Sequence, residues 1–311
     1  MKRLAWGLVL LPLAWAQVGS WFTLAPLLEP RQEIAAVELG GKIYVVGGFA
    51  RDRSTLNSAE VYDPASNQWS RLPAMPIGVN HPAAAVLAGK LYVLGGYRQG
   101  LSQPTDAVQI FDPARGQWQL GTPMPSPRGA LAAAAVEGKL YAIGGARGAL
   151  LDEVSVYDST NNRWQILTPL PTPREHLAVG VVGNKIYVVG GRNERTFTLR
   201  EVEAYTPSTN RWETLVPMPT GRSGHAVAVL GNCLYAFGGE VDFAAPRGVF
   251  SQVEVYSPAR NSWSALPSMP NPRHGQAAVT LGSRIYMIAG ANLAGFGAVN
   301  LLEVYGPPPC E

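Results

Sequence analysis

Apolar residues fall along this chain in short runs of two kinds, always in the same order. The first is small and alanine-rich, as in residues 83–87 (AAAVL), 131–136 (LAAAAV), 177–182 (LAVGVV) and 225–230 (HAVAVL). The second is apolar without alternation and ends on glycines, as in 42–48 (KIYVVGG), 90–96 (KLYVLGG) and 139–145 (KLYAIGG). An unbroken apolar run of this length predicts a strand buried on both faces. Between the two runs sit two-residue turns such as Gly183-Asn184 and Gly231-Asn232, which suit tight hairpins. A polar stretch follows the glycines, then a third strand ending in an aromatic residue. Asp-Pro or Thr-Pro turns lead into a fourth strand carrying tryptophan.

The unit returns six times, at Gly47-Gly48, Gly95-Gly96, Gly144-Gly145, Gly190-Gly191, Gly238-Gly239 and Ala289-Gly290, at intervals of 46 to 51 residues. The aromatics (Tyr62, Phe111, Tyr157, Tyr205, Tyr256) stand 7 residues before tryptophans 69, 118, 164, 212 and 263. Each tryptophan stands 10 residues before the next unit (Val79, Arg128, Arg174, Arg222, Arg273), and each unit start stands 16 before its glycines. Only the distance from the second glycine to the aromatic varies, from 12 to 17 residues. A period near fifty with all length variation in one connection predicts an all-β, six-bladed propeller with four antiparallel strands per blade. The small first strands suit the crowded axis. Trp21 lies 10 residues before Arg31 with no unit of its own, while the last unit stops after Tyr305. The N-terminal strand, about 20–25, therefore closes the ring in the sixth blade. The predicted blades are about 31–72, 79–121, 128–168, 174–216, 222–267 and 273–305 plus 20–25.

Composition agrees: 34 Gly and 26 Pro in 311 residues suit many strands joined by turns. Lys2 and Arg3, the apolar run 4–13 and Ala14-Trp15-Ala16 form a secretory signal, residues 1–16, whose apolar part is too short to span a bilayer. Residues 17–311 then form one exported domain, periplasmic or secreted. With 25 basic residues, Lys2 and Arg3 among them, against 22 acidic ones, there is no field to recruit nucleic acid. Cys233 and Cys310 lie on the same face of neighbouring blades and are expected to pair in an oxidising compartment.

The glycine pairs, the aromatic seven residues before tryptophan and the Pro-Arg starts at Pro30-Arg31, Pro127-Arg128, Pro173-Arg174 and Pro272-Arg273 resemble the kelch family over the whole of residues 17–311. The resemblance implies a six-bladed kelch propeller. It implies less about activity, because the fold carries binding modules, scaffolds and some enzymes.

In an up-and-down blade the unit starts and the variable loops share one face; Lys42, Lys90, Lys139 and Lys185 mark the other. Two residues before the repeat aromatic stand Glu60, Glu203, Glu254 and Glu303, so structural ion pairs are expected at Arg31–Glu60, Arg174–Glu203, Arg222–Glu254 and Arg273–Glu303. The second blade has Val79 and Gln109 instead, a gap that would leave His81 open to a ligand. The third keeps Arg128, with Ser155 and, two residues earlier, Glu153 as a substitute. His81, His176, His225 and His274 follow their unit starts by 2, 2, 3 and 1 residues. Strict alternation would turn these side chains to different faces, so no metal site is expected. The ligand-binding candidates are Tyr97, Arg192, Arg195, Asp242, Phe243, Arg247 and His81, with Phe250 exposed beside them and Arg51, Asp52 and Arg53 in the first loop.

No nucleophile elbow, phosphate loop or cofactor fingerprint occurs, and no cofactor is expected. The reading is a monomeric, non-catalytic extracytoplasmic module that binds a protein or glycan on the loop face. The alternative is a sugar mutarotase or epimerase. Exported kelch propellers similar to sialic-acid mutarotases place a Glu after the glycine motif and an Arg later in the same loop. Here Glu240 follows Gly239, and Arg247 lies seven residues on. A carboxylate could shuttle the anomeric proton while the guanidinium grips the substrate carboxylate.

Overall fold

The computed structural model describes residues 19–242 and 244–310. The first unit shows how a repeat becomes a sheet. After the closing strand β1 (Ser20–Thr23) come β2 (Ala35–Leu39), β3 (Lys42–Val46), β4 (Ala59–Asp63) and β5 (Gln68–Arg71). Strands β2 to β5 pair antiparallel in sequence order. Five of the six sheets repeat this order; the sixth takes its outer strand from β1, which pairs with the last strand, Leu302–Gly306, in the register Trp21↔Tyr305. Among the described residues no helix is long and apolar enough to cross a membrane. The fold is a six-bladed, all-β propeller closed by its N-terminal strand.

Each blade interface has its own hydrophobic cluster, six in all. In one of them Ala132, Ala134, Tyr141 and Ile143 of the third blade meet Leu177, Ile186 and Val188 of the fourth. The second strands are buried on both faces because each blade lies between two others. The glycine pair is required where that strand passes the next blade. Gly190 and Gly191 have φ of 54° and 106°. A Cβ on them would lie 2.7 Å from the carbonyl oxygens of Arg222 and Glu175, respectively.

Polar clasps fasten the outer rim. Trp69 Nε1 donates to the Ala25 carbonyl at 2.9 Å, and Trp118, Trp164, Trp212 and Trp263 do the same to Pro73, Thr122, Thr168 and Val216. Asn67, held at positive φ, accepts from both Tyr62 Oη and the Ala25 amide. Only Trp69 is fully buried; the other repeat tryptophans keep an exposed edge on the outer strand. Cys233 and Cys310 are joined in a disulfide with Cα atoms 6.2 Å apart.

The unit-start arginines are completely buried. Arg31 lies 2.8 Å from Glu60 and Arg174 2.9 Å from Glu203, with Arg222–Glu254 and Arg273–Glu303 arranged alike. Arg31 Nη1 also donates to the Gly47 carbonyl, and Arg222 Nη1 to that of Gly238, both at 3.2 Å. The guanidinium thus ties the glycine turn to the third strand. In the third blade Arg128 reaches Ser155 Oγ at 2.6 Å and Glu153 at 3.1 Å. The gap expected in the second blade is filled. Val79 is fully buried, and Gln109 accepts from the Ile77 amide (2.8 Å) and donates to the Ile77 carbonyl (3.0 Å).

Candidate functional site

At the axis the backbone itself builds the site. The residues two positions after each unit start, Glu33, His81, Ala130, His176, Gly224 and Gly275, all have φ between 51° and 59°. Each amide donates to the carbonyl of its counterpart in the preceding blade, at 2.8–3.1 Å, so six hydrogen bonds close a ring around the axis. Just outside it, residue pairs such as Asn80↔Tyr97, Glu175↔Arg192, Ser223↔Glu240 and His274↔Ala291 bridge each unit start to the residue after the glycines.

This left-handed ring corrects the expectation that the histidines diverge. Alternation holds only along extended backbone, and the positive φ at His81 and His176 breaks it before the inner strand begins. The rings of His81 and His176 lie 4.8 Å apart. His274 Nδ1 is 3.2 Å from Glu33 and 3.5 Å from Glu240. His225 lies one residue further along and lines the channel beneath, a cavity of about 130 Å³ that also includes Gln276. Above the ring, Glu33, His81, His176, Arg192, Glu240 and His274 share a second cavity of about 210 Å³, walled by Phe49, Leu101 and Phe296.

Charges in this mouth are organised by Arg192. Its Nε donates to Glu175 at 2.8 Å and its Nη1 to Glu240 at 3.1 Å, while Nη2 lies 3.4 Å from His176 Nε2. Burial would raise the Glu175 carboxyl, but His176 and Arg192 bring it down to about 2. Burial likewise opposes ionisation of Glu33, and His81, His274 and His176 overcome it to hold that carboxyl far below the usual range. Burial lowers His274, yet Glu33 and Glu240 raise it overall. Glu33, His81 and His176 each offer one ligand atom within 4.8 Å of the others, the geometry from which an ion could be held.

The remaining candidates scatter. Glu240 and Arg247 line different cavities; the guanidinium on Glu240 belongs to Arg192, and Arg247 is exposed on an outer hollow with Pro270, Asn271 and Asn300. Tyr97 is buried. It packs over Gly129 and donates to the Ala146 carbonyl at 3.2 Å, which commits its hydroxyl proton inside the fold. Phe250 is buried as well, against expectation, because its segment folds back onto the glycine turn through the Phe250 amide and the Gly239 carbonyl. Arg195 is exposed, Asp242 is half-buried and accepts from the Ala244 amide, and Phe243 lies outside the described residues. Sequence reasoning missed Glu33, Glu175 and Asn80 as site residues. Their signal was a column: the two positions after each unit start carry Gln32-Glu33, Asn80-His81 and Glu175-His176 in three blades.

The family profile described as the KLHDC2/KLHL20/DRC7 Kelch-repeats domain matches residues 18–170 and 167–290. An F-box/kelch-repeat protein of Arabidopsis thaliana is 44% identical over 57 residues, 18% of this chain and 15% of that protein. Human (Homo sapiens) Kelch-like protein 4 is 40% identical over 67 residues, 22% of this chain and 9% of that one. The matched segments thus span a small part of these longer relatives. The solved structure of YjhT superposes with a TM-score of 0.75 at 16% identity, covering 90% of this chain and 95% of that one. The chain belongs to the kelch-repeat family.

Proposed function

We propose that the chain is an exported, non-catalytic binding module that holds a protein or glycan on the face built by its variable loops. Kelch-repeat propellers generally mediate protein interactions, which supports the coarse reading. The observation that carries the choice of face is its exposed apolar content. Leu101, Phe197, Leu293 and Phe296, from three different loops, are 39–59% exposed. Arg53 stacks over Phe296 at 4.4 Å, giving the arginine–aromatic pairing common at binding hot spots. The opposite face presents lysines already paired with acids, Lys42 with Asp63 and Lys90 with Asp112, both at 3.0 Å. The signal segment 1–16 and the Cys233–Cys310 bridge together support export to an oxidising compartment. The test is capture from envelope extract and on a glycan array by residues 17–311, compared with a Leu101→Ser/Phe296→Ser variant. Loss of capture without loss of thermal stability supports the reading; equal capture by both defeats it.

A second reading, sugar mutarotation at Glu240, is favoured by one observation: its carboxylate lies beside Arg192 and His274 in the axial cavity. Proton transfer at an anomeric hydroxyl needs such a carboxylate within hydrogen-bonding reach. NMR of anomer exchange with sialic acid and common hexoses tests it. Acceleration lost in Glu240→Gln supports catalysis, and no acceleration by the wild type removes it.

A further inference from the structure

The hydrogen bonds around His81 decide which of its ring nitrogens is free. Asn80 Nδ2 donates to Thr55 Oγ1 at 2.8 Å and to the carbonyls of Tyr97 and Gly100, both at 3.1 Å. Its Oδ1 is therefore the atom facing His81 Nδ1, at 2.7 Å. An amide oxygen only accepts, so His81 Nδ1 carries the ring proton. In the neutral ring Nε2 is then a lone pair, and it points at Glu33 Oε2 from 3.3 Å. With that ring neutral, two acceptors face each other in a buried site, an arrangement that a cation between them satisfies.

We propose that the axial mouth is a divalent transition-metal site, with His81 Nε2, Glu33 and His176 as protein ligands and an ion of the zinc class as occupant. The site lies under the loop-face surface, with which its cavity shares Leu101 and Phe296, but its test reads metal uptake and not partner capture. Two imidazoles and one carboxylate suit zinc and its neighbours, whereas calcium and magnesium prefer all-oxygen shells. The 3.3 Å between His81 Nε2 and Glu33 Oε2 is the edge of a tetrahedron with bonds of about 2.0–2.1 Å. His176 supplies the third ligand after a side-chain rotation that takes Nε2 away from Arg192 Nη2, now 3.4 Å from it, since all three donors already lie within 4.8 Å of one another.

Supporting groups are in place around these ligands. Asn80 orients His81, Glu175 lies 3.6 Å from His176 Nδ1, and His274 faces the other oxygen of Glu33 at 3.2 Å. Three carboxylates, Glu33, Glu175 and Glu240, lie at this mouth, and the guanidinium of Arg192 is bound to two of them, Glu175 and Glu240. The fourth position faces the cavity of about 210 Å³ and is open to water or a small ligand.

The test uses tag-free protein stripped with chelator, titrated with Zn²⁺ by calorimetry and with Co²⁺ by absorption spectroscopy. Expected are one ion per chain, visible Co²⁺ bands of low-coordinate intensity, and at least ten-fold weaker binding in both Glu33→Gln and His81→Gln, with His225→Gln unchanged. Thermal unfolding with and without Zn²⁺ guards against misfolded variants: at the same Zn²⁺ concentration the ion should raise Tm of the wild type more than that of a folded Glu33→Gln. Absence of binding at micromolar Zn²⁺, or equal uptake and equal Tm shift in wild type and Glu33→Gln, overturns the proposal.

Discussion

Trp21 stacks on Tyr305, ring centroids 4.6 Å apart and planes 24° from parallel, so that the first described strand and the last are joined face to face. Trp21 also meets Phe237 edge-on at 6.0 Å and thereby touches the fifth blade as well as the sixth. Closure is therefore a packing event between chain ends as well as a ladder of hydrogen bonds. Trp21→Ala should cost about 3 kcal/mol, as loss of a large packed side chain does. Phe22→Ser, one residue on and 43% exposed, should stay within about 0.5 kcal/mol. Chemical denaturation of the two variants checks the contrast.

The buried ion pairs predict a particular non-additivity. Removing one partner of Arg222–Glu254 leaves a charge without its counter-ion, and either Arg222→Val or Glu254→Gln should cost about 3–5 kcal/mol. The double variant imports the pair that the second blade already uses, Val79 with Gln109. It should be more stable than either single change, and a double-mutant cycle measures this.

His225 predicts acid sensitivity. Both of its ring nitrogens lack partners, and burial, with Arg222 and Arg174 nearby, pushes it down to about 3 from an ordinary 6.5. Its folded value lies below its unfolded one, so its contribution is present above about pH 6.5 and is lost as pH falls toward 3. The loss should approach about 1.4 kcal/mol per pH unit in that window. His225→Gln should flatten the fall in stability between pH 6 and 4, measured by urea midpoints.

The disulfide closes a sequence separation of 77 residues and ties the C-terminal segment to the fifth blade, where Tyr235 Oη also donates to the Pro308 carbonyl. Reduction, or Cys310→Ser, should cost about 2–4 kcal/mol. Calorimetry with and without reductant reads the loss, and the Cys310→Ser variant should not respond to reductant.

What could be read from the chain alone was whatever depends on spacing. The seven-residue step from Tyr62 to Trp69 and the ten-residue step from Trp21 to Arg31 already imply four strands per blade and a ring closed by the N-terminus. The axial site was not legible, because alternation sets His274, one residue after its unit start, on the opposite face from His81 and His176, two residues after theirs, and alternation ends where φ turns positive. Glycine at two of the six equivalent positions, Gly224 and Gly275, was the available hint of that backbone. Arg192 was named, but its partner was not. Pairing Glu240 with Arg247 followed one loop along the chain, whereas the structure brings Arg192 across from the neighbouring blade.

A partner is expected to meet the variable-loop face and not the lysine-turn face. Hydroxyl-radical footprinting of the protein alone and in complex with a captured partner reads this directly. Protection is predicted at Leu101, Phe197, Leu293 and Phe296, with the strand-two turns at Lys42, Lys90, Lys139 and Lys185 unchanged. Protection confined to those lysine turns, with the four apolar loop residues still fully labelled, would contradict it.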